Sequence, residues 1–240
     1  MPKTALITGG NSGIGYATAN LLKEKGYSIV ITGRHKGRVS RAAVEIGVEC
    51  IIADMAELED IKRLASRFQN EGLDVLVNNA AIVRFIPLSE LSSTDYSLFF
   101  NTNIRGPLEL IRELVPALEK RQGSITNISS IAVNNGLLNG SLYAATKGAL
   151  EAATRSLALE LAPKKIRVNA VSPGAIDTPL AEKSGRSREV IDAQKAMLEK
   201  IIPLQRFGKA EEVAQVIWAQ LEASYVTGSI WVVDGGADIL

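Results

Sequence analysis

Sulfur and imidazole are almost missing from this chain. Cys50 is its only cysteine, so no intrachain disulfide can form, as expected of a reducing cytoplasm. His35 is its only histidine, which leaves too few Cys and His side chains for a zinc site of the usual kind, and no metal is expected. Excess charge is lacking too. Lys and Arg number 27 against 26 Asp and Glu, a net +1 that gives no overall pull toward nucleic acid or a membrane surface. No apolar run approaches the ~20 residues that a membrane-spanning helix needs. The start, Met1-Pro2-Lys3-Thr4, leads straight into an apolar segment, without a charged leader and signal-length apolar core. These features predict a soluble, cytoplasmic protein with no nucleic-acid and no membrane partner.

What is present is a length of 240 residues, 46% of them hydrophobic, enough for one sizeable domain with a full core. Short apolar runs alternate with longer amphipathic ones. Strands are predicted at Thr4–Thr8, Ser28–Thr32, Val48–Ala53, Asp74–Asn78, Ser124–Ser129, Ile166–Val171 and Ser229–Val233. Helices are predicted at Ile14–Lys25, Lys36–Ile46, Glu57–Glu71, Ser141–Leu161 and Ala210–Leu221, with one long helix or a broken pair over Thr94–Lys120. Ala5-Leu6-Ile7, Ile29-Val30-Ile31 and Val75-Leu76-Val77 are continuously apolar, as strands covered on both faces are. The expected fold class is therefore α/β: a Rossmann-type doubly wound parallel sheet of about seven strands with helices on both faces. Residues 1–240 read as one dinucleotide-binding domain. The polar, weakly periodic stretch from Gly174 to Arg188 is a candidate substrate lid, extending to about residue 200.

Thr8-Gly9-Gly10-Asn11-Ser12-Gly13-Ile14-Gly15 joins the first strand to the first helix. Glycines permit a tight turn and close approach of a pyrophosphate, and the helix start offers free N–H groups to phosphates. The spacing is Gly-x-x-x-Gly-x-Gly rather than the long-form dinucleotide fingerprint, and a tight turn without a ligand remains an alternative. Tyr143 and Lys147 stand four apart on a predicted helix, one turn above the other. Alone, that pair describes equally well a surface tyrosine beside a surface lysine. Ser130 lies just past the fifth strand, thirteen positions before Tyr143. Asn103 sits inside a predicted helix, where asparagine is a poor helix former; a buried amide bonded to backbone explains it equally.

Taken jointly and in this order, these residues resemble the short-chain dehydrogenase/reductase family over essentially the whole chain. Thr8-Gly9-x-x-x-Gly13-Ile14-Gly15 resembles its cofactor motif, and Asn103, Ser130, Tyr143 and Lys147 its catalytic tetrad. Asn78-Asn79-Ala80-Ala81 resembles its Asn-Asn-Ala-Gly, with Ala81 in place of glycine: an added methyl and a restricted φ, expected to be tolerated. Arg167-Val168-Asn169-Ala170-Val171-Ser172-Pro173-Gly174 resembles its sixth-strand motif, and Asp234-Gly235-Gly236 its C-terminal signature. The resemblance implies that Gly9, Asn11, Ser12, Gly13, Ile14, Gly15, Asp54, Met55, Asn79, Ala80, Tyr143, Lys147, Pro173, Gly174, Ile176 and Thr178 meet a nicotinamide dinucleotide. Asp54 would bond the adenine, and Thr178 would meet the nicotinamide end.

Carbonyl reduction needs a hydride on carbon and a proton on oxygen. A nicotinamide supplies the first, and Tyr143 would supply the second. A lysine cation ~4 Å away at an effective dielectric of ~20 would stabilise tyrosinate by about 4 kcal/mol, so Lys147 is expected to lower the phenol pKa toward neutrality. Ser130 would hold the substrate oxygen and Asn103 a water linked to Lys147. At the second strand's end, where an NAD-preferring fold carries Asp or Glu, stands Gly33, followed by Arg34, His35 and Lys36. Arg34 is expected to pair with a 2′-phosphate, which makes NADP(H) the expected cofactor. The partners expected are a small carbonyl or alcohol substrate, with the thioester of an acyl carrier protein as one option, and three further copies of the chain. The helices over Leu108–Leu118 and Leu150–Leu161 would form that homotetramer's interface. A non-catalytic dinucleotide sensor or scaffold of the same fold is the alternative, and the complete tetrad argues against it.

Overall fold

A computed structural model describes residues 2–179 and 187–239. Seven strands form one parallel sheet: β1 (Thr4–Thr8), β2 (Ser28–Gly33), β3 (Glu49–Ile52), β4 (Val75–Asn78), β5 (Ser124–Ile128), β6 (Arg167–Pro173) and, at the far edge, β9 (Ile230–Val233). Their order is β3-β2-β1-β4-β5-β6-β9, so the winding reverses between β1 and β4. That reversal opens a crevice beyond the strands' carboxyl ends, where ligands bind in such sheets. The expected Rossmann-type doubly wound fold is what forms.

Side-chain alternation along each strand builds two cores. Leu6, Val30, Leu76, Ile125 and Val168 face α3 (Leu58–Ser66) and α5 (Gly106–Arg121). Ile7, Ile31, Val77 and Val171 face α1 (Gly13–Glu24), α2 (Lys36–Ile46) and α8 (Ala210–Glu222). Burying one such aliphatic side chain contributes roughly 1.5–3 kcal/mol. Helix α2 has the boundaries that its periodicity predicts, and Gly47 at φ 73° closes it in the left-handed region.

The remaining departures follow from local chemistry. The 94–120 stretch divides into α4 (Ser93–Phe100), a π turn at Asn101–Arg105 and α5, with Ser92 and Asp95 forming a reciprocal cap at the start of α4. Helix α3 stops at Ser66, five residues short of the predicted Glu71, and the chain then turns inward to bury Phe68. Helix α6 (Ser141–Leu161) is as predicted. The region expected as a lid contains structure that its weak periodicity did not reveal. Residues Ile176–Asp177 (β7) pair in parallel with Gly208–Lys209 (β8), and Arg188–Ile201 is helix α7. The part of the expected lid at residues 180–186 lies outside the described residues. No described helix is long and apolar enough to cross a membrane.

Candidate active site

The crevice holds a cleft of about 350 Å³, within the range of small-molecule sites. The glycine-rich turn forms one wall. Gly9 and Gly13 adopt φ of 65° and 56°, conformations that L side chains rarely take. The turn is braced from β4: Asn79 Nδ2 donates to the carbonyls of Thr8 and Gly9 at 2.9 and 3.1 Å. The Thr8 hydroxyl in return accepts from the N–H groups of Asn79 and Ala80, each at 3.0 Å. Gly15 serves packing rather than lining, because a Cβ there would sit 2.5 Å from Asn79 Nδ2 and 2.6 Å from the Gly9 carbonyl. Ala81, the departure from glycine, is not among the non-glycine residues with positive φ, so its methyl costs no backbone strain.

At the end of β2, Gly33, Arg34 and His35 line the cleft, and Arg38 joins them from the first turn of α2. Lys36 is not a lining residue. A Cβ on Gly33 would lie 2.8 Å from Asn11 Oδ1 and 2.9 Å from Cγ2 of the buried Val39. No carboxylate can therefore project from this position without displacing Asn11 and repacking Val39. Asp54 Oδ1 accepts from the Ala56 N–H at 3.0 Å, which shapes the turn after β3, and Asp54 and Met55 both line the cleft.

The residues expected to transfer a proton converge at the other end. Ser130 caps the turn after β5, its hydroxyl accepting from the Ala132 N–H at 3.2 Å, and it lines the cleft together with Tyr143. Tyr143 and Lys147 project from α6 on one face, 8% and 3% exposed. Lys147 Nζ donates to the Ile128 carbonyl at 2.6 Å and lies 5.8 Å from the Tyr143 ring centroid. The expected lowering of the phenol pKa is not found. Burial pushes Tyr143 up to about 12, against a smaller downward pull from Ser130. Burial likewise holds Lys147 down to about 8. Loss of water sets the direction of both shifts, and the ammonium is turned toward the Ile128 carbonyl.

Asn103 stands in the π turn, behind the cleft rather than in its lining. Its amide donates to the Ile82 carbonyl at 3.0 Å and to Thr146 Oγ1 at 3.1 Å, and accepts from the Ile82 N–H at 2.9 Å. The side chain thus clasps the segment after β4 to α6. The stripe of Tyr143 and Lys147 continues to Glu151, a buried carboxylate that accepts from the hydroxyl of Ser129 at 2.7 Å. Its spacing, four residues beyond Lys147, was a readable signal for a third member of that face. Arg38, Arg84, Leu98 and Thr102 also line the cleft, and neither motif nor spacing had singled them out.

The matching family is described as enoyl-(acyl carrier protein) reductase, and it aligns with residues 9–238. The chain belongs to the short-chain dehydrogenase/reductase family. It is accordingly an oxidoreductase of alcohol and carbonyl groups. Over 244 residues it is 38% identical to the 3-oxoacyl-[acyl-carrier-protein] reductase FabG of Thermotoga maritima, covering 98% of this chain and 97% of that protein. A 3-ketoacyl-(acyl-carrier-protein) reductase from Brucella melitensis, solved with NADH, superposes with a TM-score of 0.90 at 30% identity, covering 98% of each chain. An actinorhodin polyketide ketoreductase variant, solved with NADPH, superposes at 0.91 with 27% identity, covering 100% of this chain and 98% of that one. The family's cofactor is a nicotinamide dinucleotide.

The residues of this short-chain dehydrogenase/reductase fit such a group. The hydroxyls of Thr32 and Thr102 are buried, have no hydrogen-bond partner among the described residues, and belong to side chains lining the cleft. Together with the glycine cradle they offer a polar ligand both donors and room.

Proposed function

We propose that this protein reduces a carbonyl substrate with NADPH, with Tyr143 as the proton donor. The observation that carries this reading is that Ser130, Tyr143 and the buried Lys147 line one cleft together with the glycine-rich turn. Bound NADPH would supply the hydride. Gly9, Asn11, Ser12, Gly13 and Ile14 would hold its pyrophosphate side, Asp54, Met55 and Ala80 the adenosine, and Pro173, Gly174, Ile176 and Thr178 the nicotinamide end. Arg34, with Arg38 beside it, favours a 2′-phosphate over a free hydroxyl.

At neutral pH the phenol, at about 12, keeps its proton. It therefore carries the proton that carbonyl reduction requires. Ser130 holds the carbonyl oxygen by donating to it, and Tyr143 delivers its proton to that same oxygen. Lys147 keeps a positive charge near the phenol and so stabilises the tyrosinate as it forms. Asn103 fixes the wall from which substrate is presented, through Ile82.

The substrate is a small carbonyl compound or a 3-oxoacyl thioester on an acyl carrier protein, the protein works in the cytoplasm as a homotetramer, and the described parts of the expected lid, residues 174–179 and 187–200, close over the bound substrate. The test is NADPH oxidation by the purified protein across a panel of ketones, aldehydes and a 3-oxoacyl thioester. Turnover of at least one carbonyl supports the reading. A protein that binds NADPH and reduces none of them would be a dinucleotide sensor instead.

A further inference from the structure

The cations at the end of β2 lie beside Gly33, at the adenosine end of the cleft. Arg84 lies elsewhere. It follows Val83, which packs in one cluster with Phe99, Leu142 and Tyr143, so the backbone at position 84 runs beside the proton donor. Its side chain lines the same cleft and is 51% exposed. Val83 and Leu98 line the cleft with it, as do the polar Thr102 and Ser130, and Phe85, Leu91 and Leu137 pack on the Tyr143 cluster.

The guanidinium is weakly engaged. Its one charged partner among the described residues is Asp95 Oδ1 at 3.6 Å, beyond hydrogen-bond range. Asp95 has another task. Its Oδ2 accepts the N–H of Ser92 at 3.1 Å and that residue's hydroxyl at 2.5 Å, capping α4, and these bonds hold its pKa below the usual carboxylate range. A carboxylate at a helix start is stabilised by the helix itself. Arg84 is thus a planar five-donor cation whose one described charged contact is long, on the lining of the cleft that holds Tyr143.

We infer that Arg84 selects carbonyl substrates bearing an anionic group, a carboxylate or a phosphate, which it anchors while the carbonyl reaches Ser130 and Tyr143. This rests on the oxidoreductase reading above. Anchoring by a guanidinium would be bidentate, and it fixes the far end of the substrate rather than the reacting atoms. Arg84 is then a specificity residue, expressed in substrate binding.

The experiment compares matched ketones: levulinate with its methyl ester, and dihydroxyacetone phosphate with dihydroxyacetone. Wild type is expected to show a higher kcat/KM for the anionic member of at least one pair, and the pair affected tells carboxylate from phosphate. In Arg84→Gln the anionic-to-neutral ratio is expected to fall about 10-fold or more, carried mainly by KM, while Arg84→Lys retains most of it. Added salt should raise KM for the anion alone. A ratio that is the same in wild type and Arg84→Gln for both pairs would overturn the inference while leaving the oxidoreductase reading intact. If wild type reduced no ketone in any pair or in the wider panel, the reading and the inference would fall together.

Discussion

Lys147 Nζ donates to the Ile128 carbonyl at 2.6 Å, which ties the second turn of α6 to the end of β5. The bond supports an ammonium that burial holds down to about 8 from 10.5. Between those values the unfolded chain binds more protons than the folded one, so folding stability rises with pH through that window and is lost as pH falls through about 8. Tyr143 is displaced upward, from 10.0 to about 12, so its contribution is complete below 10 and is lost as pH rises through 12. From about pH 8 to 10 Lys147 therefore acts almost alone. Urea unfolding should show wild type gaining on Lys147→Met across that interval, by on the order of 2 kcal/mol. Parallel curves for the two proteins would contradict a desolvated ammonium at this position.

On the proposed reading, the end of β2 sets cofactor choice. Arg34→Ala should weaken binding of 2′,5′-ADP by about 10- to 150-fold, the range of one charge-assisted hydrogen bond, and leave 5′-ADP far less affected. Calorimetric titration at fixed ionic strength measures both. Equal losses for the two ligands would remove Arg34 from phosphate recognition.

Gly33 adds a steric prediction. A Cβ there would meet Asn11 Oδ1 at 2.8 Å and Val39 Cγ2 at 2.9 Å. Gly33→Asp combined with Arg34→Ala should therefore lose stability without gaining NADH. A stable Gly33→Asp/Arg34→Ala protein that already prefers NADH would contradict this.

Assembly is testable on one side chain. Leu159 on α6 is 81% exposed, far more than a core position allows. Light scattering should give a tetramer for wild type and a smaller species for Leu159→Arg. A wild-type monomer at micromolar concentration would rule out the tetramer.

The fold was legible because its signals are repetitive. Apolar strands such as Ala5-Leu6-Ile7 and an uninterrupted amphipathic run over Ser141–Leu161 admit few alternatives. That the glycine turn, Ser130, Tyr143 and Lys147 meet in one cleft was legible from their order and spacing. The ionisation state was not. A spacing of four residues predicts proximity, but burial decided the direction of both shifts, and burial depends on β5 and the 82–85 segment closing over α6. Asn103 shows the same limit. Its place in a helix was readable, whereas its clasp on Ile82 arises from a π turn that periodicity does not encode. Arg84 and Arg38 reached the cleft through tertiary packing, without a motif to announce them.

The central claim is that the phenol of Tyr143 delivers the proton. Tyr143→Phe removes one oxygen and leaves the ring in its cluster with Val83 and Leu142, so cofactor binding should persist. The decisive measurement is kcat for carbonyl reduction by this variant, with NADPH affinity determined in parallel. The account predicts a fall of at least ~10²-fold in kcat at near-normal NADPH affinity. Turnover within a few-fold of wild type would contradict it.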